Sequence, residues 1–413
     1  GGFVGFYILE RRFFSFFPVK QYYILFNLLQ ILNCILMYVI RDITWVYPLR
    51  FFQGMLFASA VNLSISMIFS RLKSERAREG SYSVFFGLLL CSSPFNNFVT
   101  ADFIDSFNFD ELYLYAAISF VPGLLLVLLT MRSISHIKPY PLFSLDWGSC
   151  LLYSGIIISF GYMMVFGQEI YWFSDRNMRF ALTAFLLFLT VFVIRQQHLK
   201  RVYIDLSIFK SRSLLLGMVI LYLMYIERFS LGISTQYFQQ VLHLDPIHIS
   251  YIQLFNIGGI ACGVMFAMYW LLAQRSVKWI WTLGFLCLLA FHQVMYFSFE
   301  GEGNDYYFWI PLVIHGLGVG LIMVPTILFV VTSVPPKLGV SAAAVCLAIR
   351  YLGYTSSIAL QNFFKLFENN FHKMVFSDHL DKGNSILQDN LASGAAKLAK
   401  NGLLYNEQQA SVK

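Results

Sequence analysis

Apolar runs of about 20 residues follow one another down this chain, and the loops between them alternate in charge: basic, then acidic, then basic again. A run of that length crosses a hydrocarbon core of about 30 Å as a helix. The alternation says that each run crosses completely, because Lys and Arg collect in the short loops that stay on the cytoplasmic side. The chain therefore reads as an all-α, polytopic membrane protein.

Composition agrees. Only 12% of residues are charged and 58% are hydrophobic, about half the charge of a soluble domain. The net charge of +7 does not call for nucleic acid, since the basic residues sit in interspan loops where the positive-inside rule explains them. The six cysteines (Cys34, Cys91, Cys150, Cys262, Cys287 and Cys346) all fall inside apolar runs and form no CxxC pair. Neither a disulfide framework nor a metal site is indicated. No Ser-His-Asp set, Walker loop or HExxH occurs, and nothing argues for an enzyme or a cofactor. The sequence opens on Gly1-Gly2, already apolar, without an initiator Met or a signal peptide. The reading therefore expects chain upstream of it.

Residues 1–9 read as the end of a span. About eleven full spans follow, near 20–40, 46–70, 81–105, 111–131, 146–166, 178–195, 213–241, 247–273, 279–299, 306–333 and 340–367. The basic loops hold Arg11 and Arg12, Arg71 to Arg78, Arg132 and Lys138, Arg195 to Arg212, Arg275 and Lys278, and Lys337. The acidic ones hold Asp102 to Glu111, Glu169 and Asp175, Asp245, and Glu300 to Asp305. Residues 1–131 read as a first bundle, 132–212 as a central segment with two spans, and 213–367 as a second bundle. Residues 368–413 read as a polar, non-cytoplasmic tail with a short amphipathic pattern around Leu387, Leu391, Leu398 and Leu403.

Ionisable residues inside a span are expensive and often functional. Arg50 lies early in its span, roughly 7 Å from the acidic-loop end at the helical rise per residue. Glu227 and Arg228 sit mid-span, and so does Arg350. Adjacent helical residues point about 100° apart, so Glu227 and Arg228 do not pair with each other and each needs a partner on another helix. The depths of Glu227 and Arg350 differ by only about 6 Å, within reach of long side chains. Glu227 is either a proton carrier, a holder of a cationic substrate or half of a structural salt bridge. Asn27, Gln30 and Asn33 share one helical face, and Asn62 and Asn256 also lie in spans. Such residues line a cavity or hydrogen-bond neighbouring helices.

Gly316-Leu317-Gly318-Val319-Gly320 lies in an apolar run with no strand before it, so close helix packing is expected rather than a nucleotide loop. Pro94 and Pro325 are expected to kink their helices. Trp45, Trp172, Trp279, Trp281 and Trp309 read as interfacial anchors. His292 and His315 read as packed or locally bonded rather than as metal ligands.

Several segments resemble a known family. Arg50-Phe51-Phe52-Gln53-Gly54, followed by Ala58-Ser59-Ala60, is similar to the fourth-helix motif of major facilitator superfamily proton antiporters. Glu75-Arg76-Ala77-Arg78-Glu79-Gly80 looks like that family's cytoplasmic hinge. Leu145-Asp146-Trp147-Gly148 and Asp205 to Arg212 resemble the entries to the extra central helices and to the second bundle of its 14-helix drug:proton antiporter branch. Gln236 to Leu242 and Arg350-Tyr351-Leu352-Gly353 fit later segments. The pattern departs from the family at Glu10-Arg11-Arg12, which keeps charge but lacks the glycine turn, and at the fifth helix, where only Gly87 and Pro94 survive.

The resemblance implies two six-helix bundles flanking two extra helices, with the first helix before Gly1 and the last after Lys413. It implies proton-coupled efflux of amphipathic or cationic small molecules, across a bacterial inner membrane, with a periplasmic adaptor protein as a further partner. Glu227, Arg50 and Gln53 would couple protons. Asn27, Gln30, Asn33, Asn62, Arg228, Arg350 and Asn256 would line the substrate cavity. Glu10, Arg11, Arg12, Gly54 and Pro94 would gate it. The rival readings are a same-fold carrier of a nutrient or siderophore and a non-transporting membrane sensor or anchor.

Overall fold

The computed structural model describes residues 1–14, 17–40, 42–59, 61, 64–65, 67–68, 77–106, 109–132, 145–199, 202–299, 304–378, 388–390 and 392–393. Its long helices are α1 (Gly2–Phe14), α2 (Val19–Val39), α3 (Ile43–Ala58), α4 (Ala77–Ser106), α5 (Phe109–Thr130), α6 (Trp147–Phe166) and α7 (Arg176–His198). After these come α8 (Arg212–Phe229), α9 (Leu231–Gln240), α10 (Pro246–Leu272), α11 (Val277–Ser298), α12 (Tyr306–Thr332) and α13 (Gly339–Asp378). Among the described residues, 10 helical segments are long and apolar enough to cross a membrane, with α8 and α9 forming one of them. No strand occurs among the described residues.

Polar residues at the span entrances explain where several helices begin. The side chains of Asp42, Asp146, Asp175 and Ser211 accept from the free amides of the first turn in α3, α6, α7 and α8. Proline opens α10, where the missing N–H costs nothing.

Two sequence expectations change at helix boundaries. Glu10-Arg11-Arg12 was expected in a loop, but α1 continues to Phe14, and Glu10 is fully buried. No glycine or proline lies between Phe6 and Phe17 to stop the helix, and Pro18 then caps α2. The single span expected over 213–241 is interrupted at Ser230, whose amide bonds Glu227 O at 3.1 Å, one residue short of the α-helical register.

Close packing in a bilayer relies on small residues rather than on a hydrophobic drive between helices. The glycine run of α12 supplies them on two faces. A Cβ at Gly320 would come within 2.7 Å of Ile260 O, and one at Gly263 within 2.5 Å of Leu317 O, so α10 and α12 touch backbone to backbone. Gly259 and Gly316 extend this seam. Gly318 faces the other way, where a Cβ would meet Gly284 O of α11 at 2.9 Å. Trp281, expected at the interface, instead reaches inward from α11. Its Nε1 donates to Thr326 Oγ1 of α12 at 2.9 Å and its ring meets Phe329 edge-on.

The helices α6 and α7 pack on each other, and a polar knot joins their basic-loop ends. Arg195 donates to Asp146 at 2.8 Å and to Ser149 Oγ at 3.1 Å, and Gln196 donates to the same hydroxyl at 2.9 Å. Burial works against ionisation of Asp146, yet Ser149 and Arg195 hold its carboxyl below the usual carboxylate range. The connection to α8 is buried at Tyr203, Ile204 and Ile208. In it the Tyr203 hydroxyl donates to Gly5 O of α1, and the Asp205 amide donates to Ser341 Oγ of α13 at 3.2 Å.

The chain divides into two units, Gly1–Ala359 and Leu360–Lys413. In the second, helix continues to Asp378, beyond the expected span end at 367, and exposes Phe363, Phe364, Phe367 and Phe371.

Candidate functional site

A cavity of about 360 Å³ lies between the N-terminal helices α1 and α4 and the C-terminal helices α8, α12 and α13. Phe3 and Tyr7 of α1 and Tyr82, Phe85, Phe86 and Leu89 of α4 form one wall. Leu221 and Tyr225 of α8, Met323 and Ile327 of α12, and Cys346 and Arg350 of α13 form the other. The lining reaches from Tyr225 and Met323, inside the spans, to Gly339 and Val340 at the basic-loop end of α13. The helices α4 and α10 meet along their length, at Gly87 and Val264 toward the basic-loop side and at Asn97 and Gln253 toward the acidic-loop side. There Asn97 Nδ2 donates to Gln253 Oε1 at 3.0 Å, Gln253 Nε2 donates to Thr235 Oγ1 at 3.1 Å, and the rings of Phe98 and Tyr251 lie 5.4 Å apart.

Among the expected cavity residues, Arg350 alone lines this space in the described set. Its guanidinium carbon sits 5.8 Å from the centre of the Tyr225 ring. Asn27 bonds Tyr23 O of its own helix at 2.9 Å. Gln30 and Asn33 are buried in α2, away from the cavity. Asn62 lies outside the described residues. Asn256 bridges α10 to α12, donating to Leu312 O and meeting His315 Nδ1, both at 3.0 Å. Of these amides, Asn256 serves helix–helix bonding, the alternative that polar residues in spans carry, while Asn27 bonds its own helix and buried atoms of Gln30 and Asn33 have no hydrogen-bond partner among the described residues.

Arg228 is buried, 8% exposed, and points from α8 to α4, where Nη2 donates to Leu90 O at 3.1 Å. The acceptor has a cause. Pro94 has no N–H, so the carbonyl four residues before it loses its helical donor. Arg228 supplies the missing hydrogen bond from the opposite wall of the cavity. Pro94 and Arg228, separate in the sequence reading, thus meet at one carbonyl.

Glu227 takes a different partner from the one its depth suggested. Its Oε2 is 2.7 Å from His292 Nε2 of α11, and no Glu227–Arg350 ion pair is found among the described residues. The Glu227 carbonyl, at the break after α8, receives His315 Nε2 at 3.3 Å and Ser230 Oγ at 2.6 Å. The neighbouring Ile226 carbonyl receives Ser357 Oγ of α13 at 2.9 Å. Carbonyls released by the interrupted helix are thereby bonded by side chains of α12 and α13, as backbone inside a membrane requires. Counted from their basic-loop ends, Glu227, His292, His315 and Asn256 each lie about 16 residues into their helices, hence at one level. The sequence reading missed His292 as a partner, since a lone imidazole in an apolar run carries no signal of what faces it.

The Arg50 motif folds onto itself and onto α5. Nη1 donates to Gln53 Oε1 at 3.0 Å, and Nη2 donates to the Tyr113 hydroxyl, with the guanidinium carbon 5.1 Å from that ring's centre. Gly54 allows α1 to pass close, since a Cβ there would stand 3.0 Å from Phe3 N. The side chains of Arg11 and Arg12 lie outside the described residues. No cluster of His, Cys, Asp and Glu suited to a metal is found in the described set.

These features define a class: an all-helical membrane fold with a cavity between two helical groups. The architecture is that of the major facilitator type. The chain is similar to the crystal structure of a mutant of the peptide transporter POT, with a TM-score of 0.55 and 13% identity over 88% of this chain and 78% of that one. No protein-family profile matches the sequence, and no curated protein sequence matches it.

Proposed function

We propose that this protein is a secondary active transporter that carries an amphipathic small molecule across the cell membrane by alternating access, driven by protons. The observation that carries the reading is the cavity itself. It lies between the two helical groups, and its lining reaches the basic-loop end of α13. Rocking of one group against the other would expose the same cavity to the other face.

Glu227 and His292 form the proton site in this reading. A carboxylate and an imidazole lie 2.7 Å apart inside a span, the two side-chain types from which membrane proton relays are built. The helix break at Ser230 places this pair where the backbone changes register, so protonation and helix geometry are joined. Export in exchange for protons is the direction the Arg50 motif favours by its resemblance to antiporters.

The test uses the complete polypeptide in proteoliposomes with an imposed pH gradient. A panel of amphipathic drugs, nutrients and siderophores should reveal gradient-driven flux that Glu227→Gln abolishes. Unchanged proton-coupled flux in that variant removes the Glu227 assignment. No gradient-driven flux for any member of the panel removes the transporter reading.

A further inference from the structure

The cavity carries a charge that nothing in it balances. Arg350 is the one formally charged side chain among the described lining residues, none of which is Asp or Glu. Arg350 forms no ion pair or hydrogen bond with a described residue, only the contact over the Tyr225 ring. Arg228 is bound to Leu90 O and adds positive potential rather than cancelling it. Glu227, the acid next to Arg228 in sequence, is held by His292. A guanidinium inside a membrane protein needs a counter-charge, and its planar fork matches a carboxylate in two parallel hydrogen bonds. The remaining walls are aromatic and aliphatic: Phe85, Phe86, Leu89 and Met323 suit an apolar body.

We infer that the cavity binds an organic carboxylate with an apolar body, its anionic end on Arg350 and its body between α4 and α12. This rests on reading the cavity as the substrate site. It departs from the cationic substrate that the antiporter resemblance implies, because a cation would meet like charge and no acid among the described lining residues. The volume of about 360 Å³ lies within the range of small-molecule pockets.

The test is equilibrium binding to the complete purified protein in detergent, with three probes that share one body: 4-phenylbutyrate, 4-phenylbutanol and 4-phenylbutylamine. The carboxylate should bind at least about tenfold more tightly than the amine, a difference of about 1.4 kcal/mol by the affinity relation. Arg350→Gln should remove that preference while leaving alcohol binding unchanged, which also shows that the variant is folded. Arg350→Lys should retain part of it. Tighter binding of the amine, or a carboxylate preference that survives Arg350→Gln, overturns the inference. Binding is read without flux, so the two readings fail separately. Carboxylate binding without gradient-driven flux leaves the site and removes transport; flux restricted to cations leaves transport and removes the site.

Discussion

Arg228 and Pro94 meet at the carbonyl of Leu90: the proline takes away its helical donor, and the arginine, from the opposite helical group, supplies another at 3.1 Å. The relationship predicts non-additivity. With Arg228→Met the carbonyl is left bare in a buried place, and Pro94→Ala then returns a main-chain N–H to it. Pro94→Ala should therefore stabilise the Arg228→Met protein more than it stabilises the parent, by about 0.5–3 kcal/mol, the usual range for coupled neighbours. Thermal unfolding of the four proteins in detergent gives the cycle. Additive effects would show that the two residues do not share the carbonyl.

The seam between α10 and α12 predicts opposite outcomes at adjacent positions. A Cβ at Gly259 would run into Val313 O, whereas one at Gly258 meets nothing within 4 Å. Gly259→Ala should cost about 1–3 kcal/mol, as overpacking does. Gly258→Ala should be neutral or gain up to about 1 kcal/mol from a stiffer unfolded chain. Equal melting temperatures for the two variants would be inconsistent with the seam.

His292 is expected to matter through its contact with Glu227 rather than through packing, since its side chain is 44% exposed. His292→Phe should keep the protein folded yet slow pH-driven flux by about tenfold, a barrier change of about 1.4 kcal/mol. A His292→Phe protein with parental flux would remove the imidazole from the proton site.

Asp146 yields a pH prediction outside the spans. Its carboxyl is held below the usual range by Ser149 and Arg195 against the opposing effect of burial. A depressed folded pKa stabilises the protein above the unfolded value of about 4, and that stability is lost as pH falls through the folded pKa. The melting temperature should thus fall below about pH 4, and Asp146→Asn should flatten that part of the curve. An unchanged slope in the variant would argue that Asp146 does not contribute.

Much of the architecture was legible in the sequence, because hydropathy measures the very property that places a helix in a bilayer. The spans near 20–40, 146–166 and 247–273 match α2, α6 and α10 within one or two residues. The glycine run of α12 announced its own packing. Partners were not legible. Glu227 lies 65 residues from His292 and Leu90 lies 138 from Arg228, and neither distance leaves a local pattern. The amides of Asn27 and Asn256 lie away from the cavity, Asn27 bonding Tyr23 O of its own helix and Asn256 bonding Leu312 O of α12, and the space is walled by Phe, Tyr, Leu and Met. A polar side chain in a span can bond backbone as readily as a ligand, so polarity alone does not mark a cavity. The break at Ser230 was also hidden, since Leu231-Gly232-Ile233 continues the apolar run without a proline.

Helices that slide past one another do so by letting interdigitated side chains change rotamer. Where Gly259, Gly263, Gly316 and Gly320 bring backbone onto backbone, there are no such chains to yield. The α10–α12 pair, with α11 keyed in at Gly318, therefore leaves little room for its helices to slide. Relative motion is left to contacts that have side chains to spare, and the contact of Gly87 on α4 with the Val264 methyls of α10 is one of them.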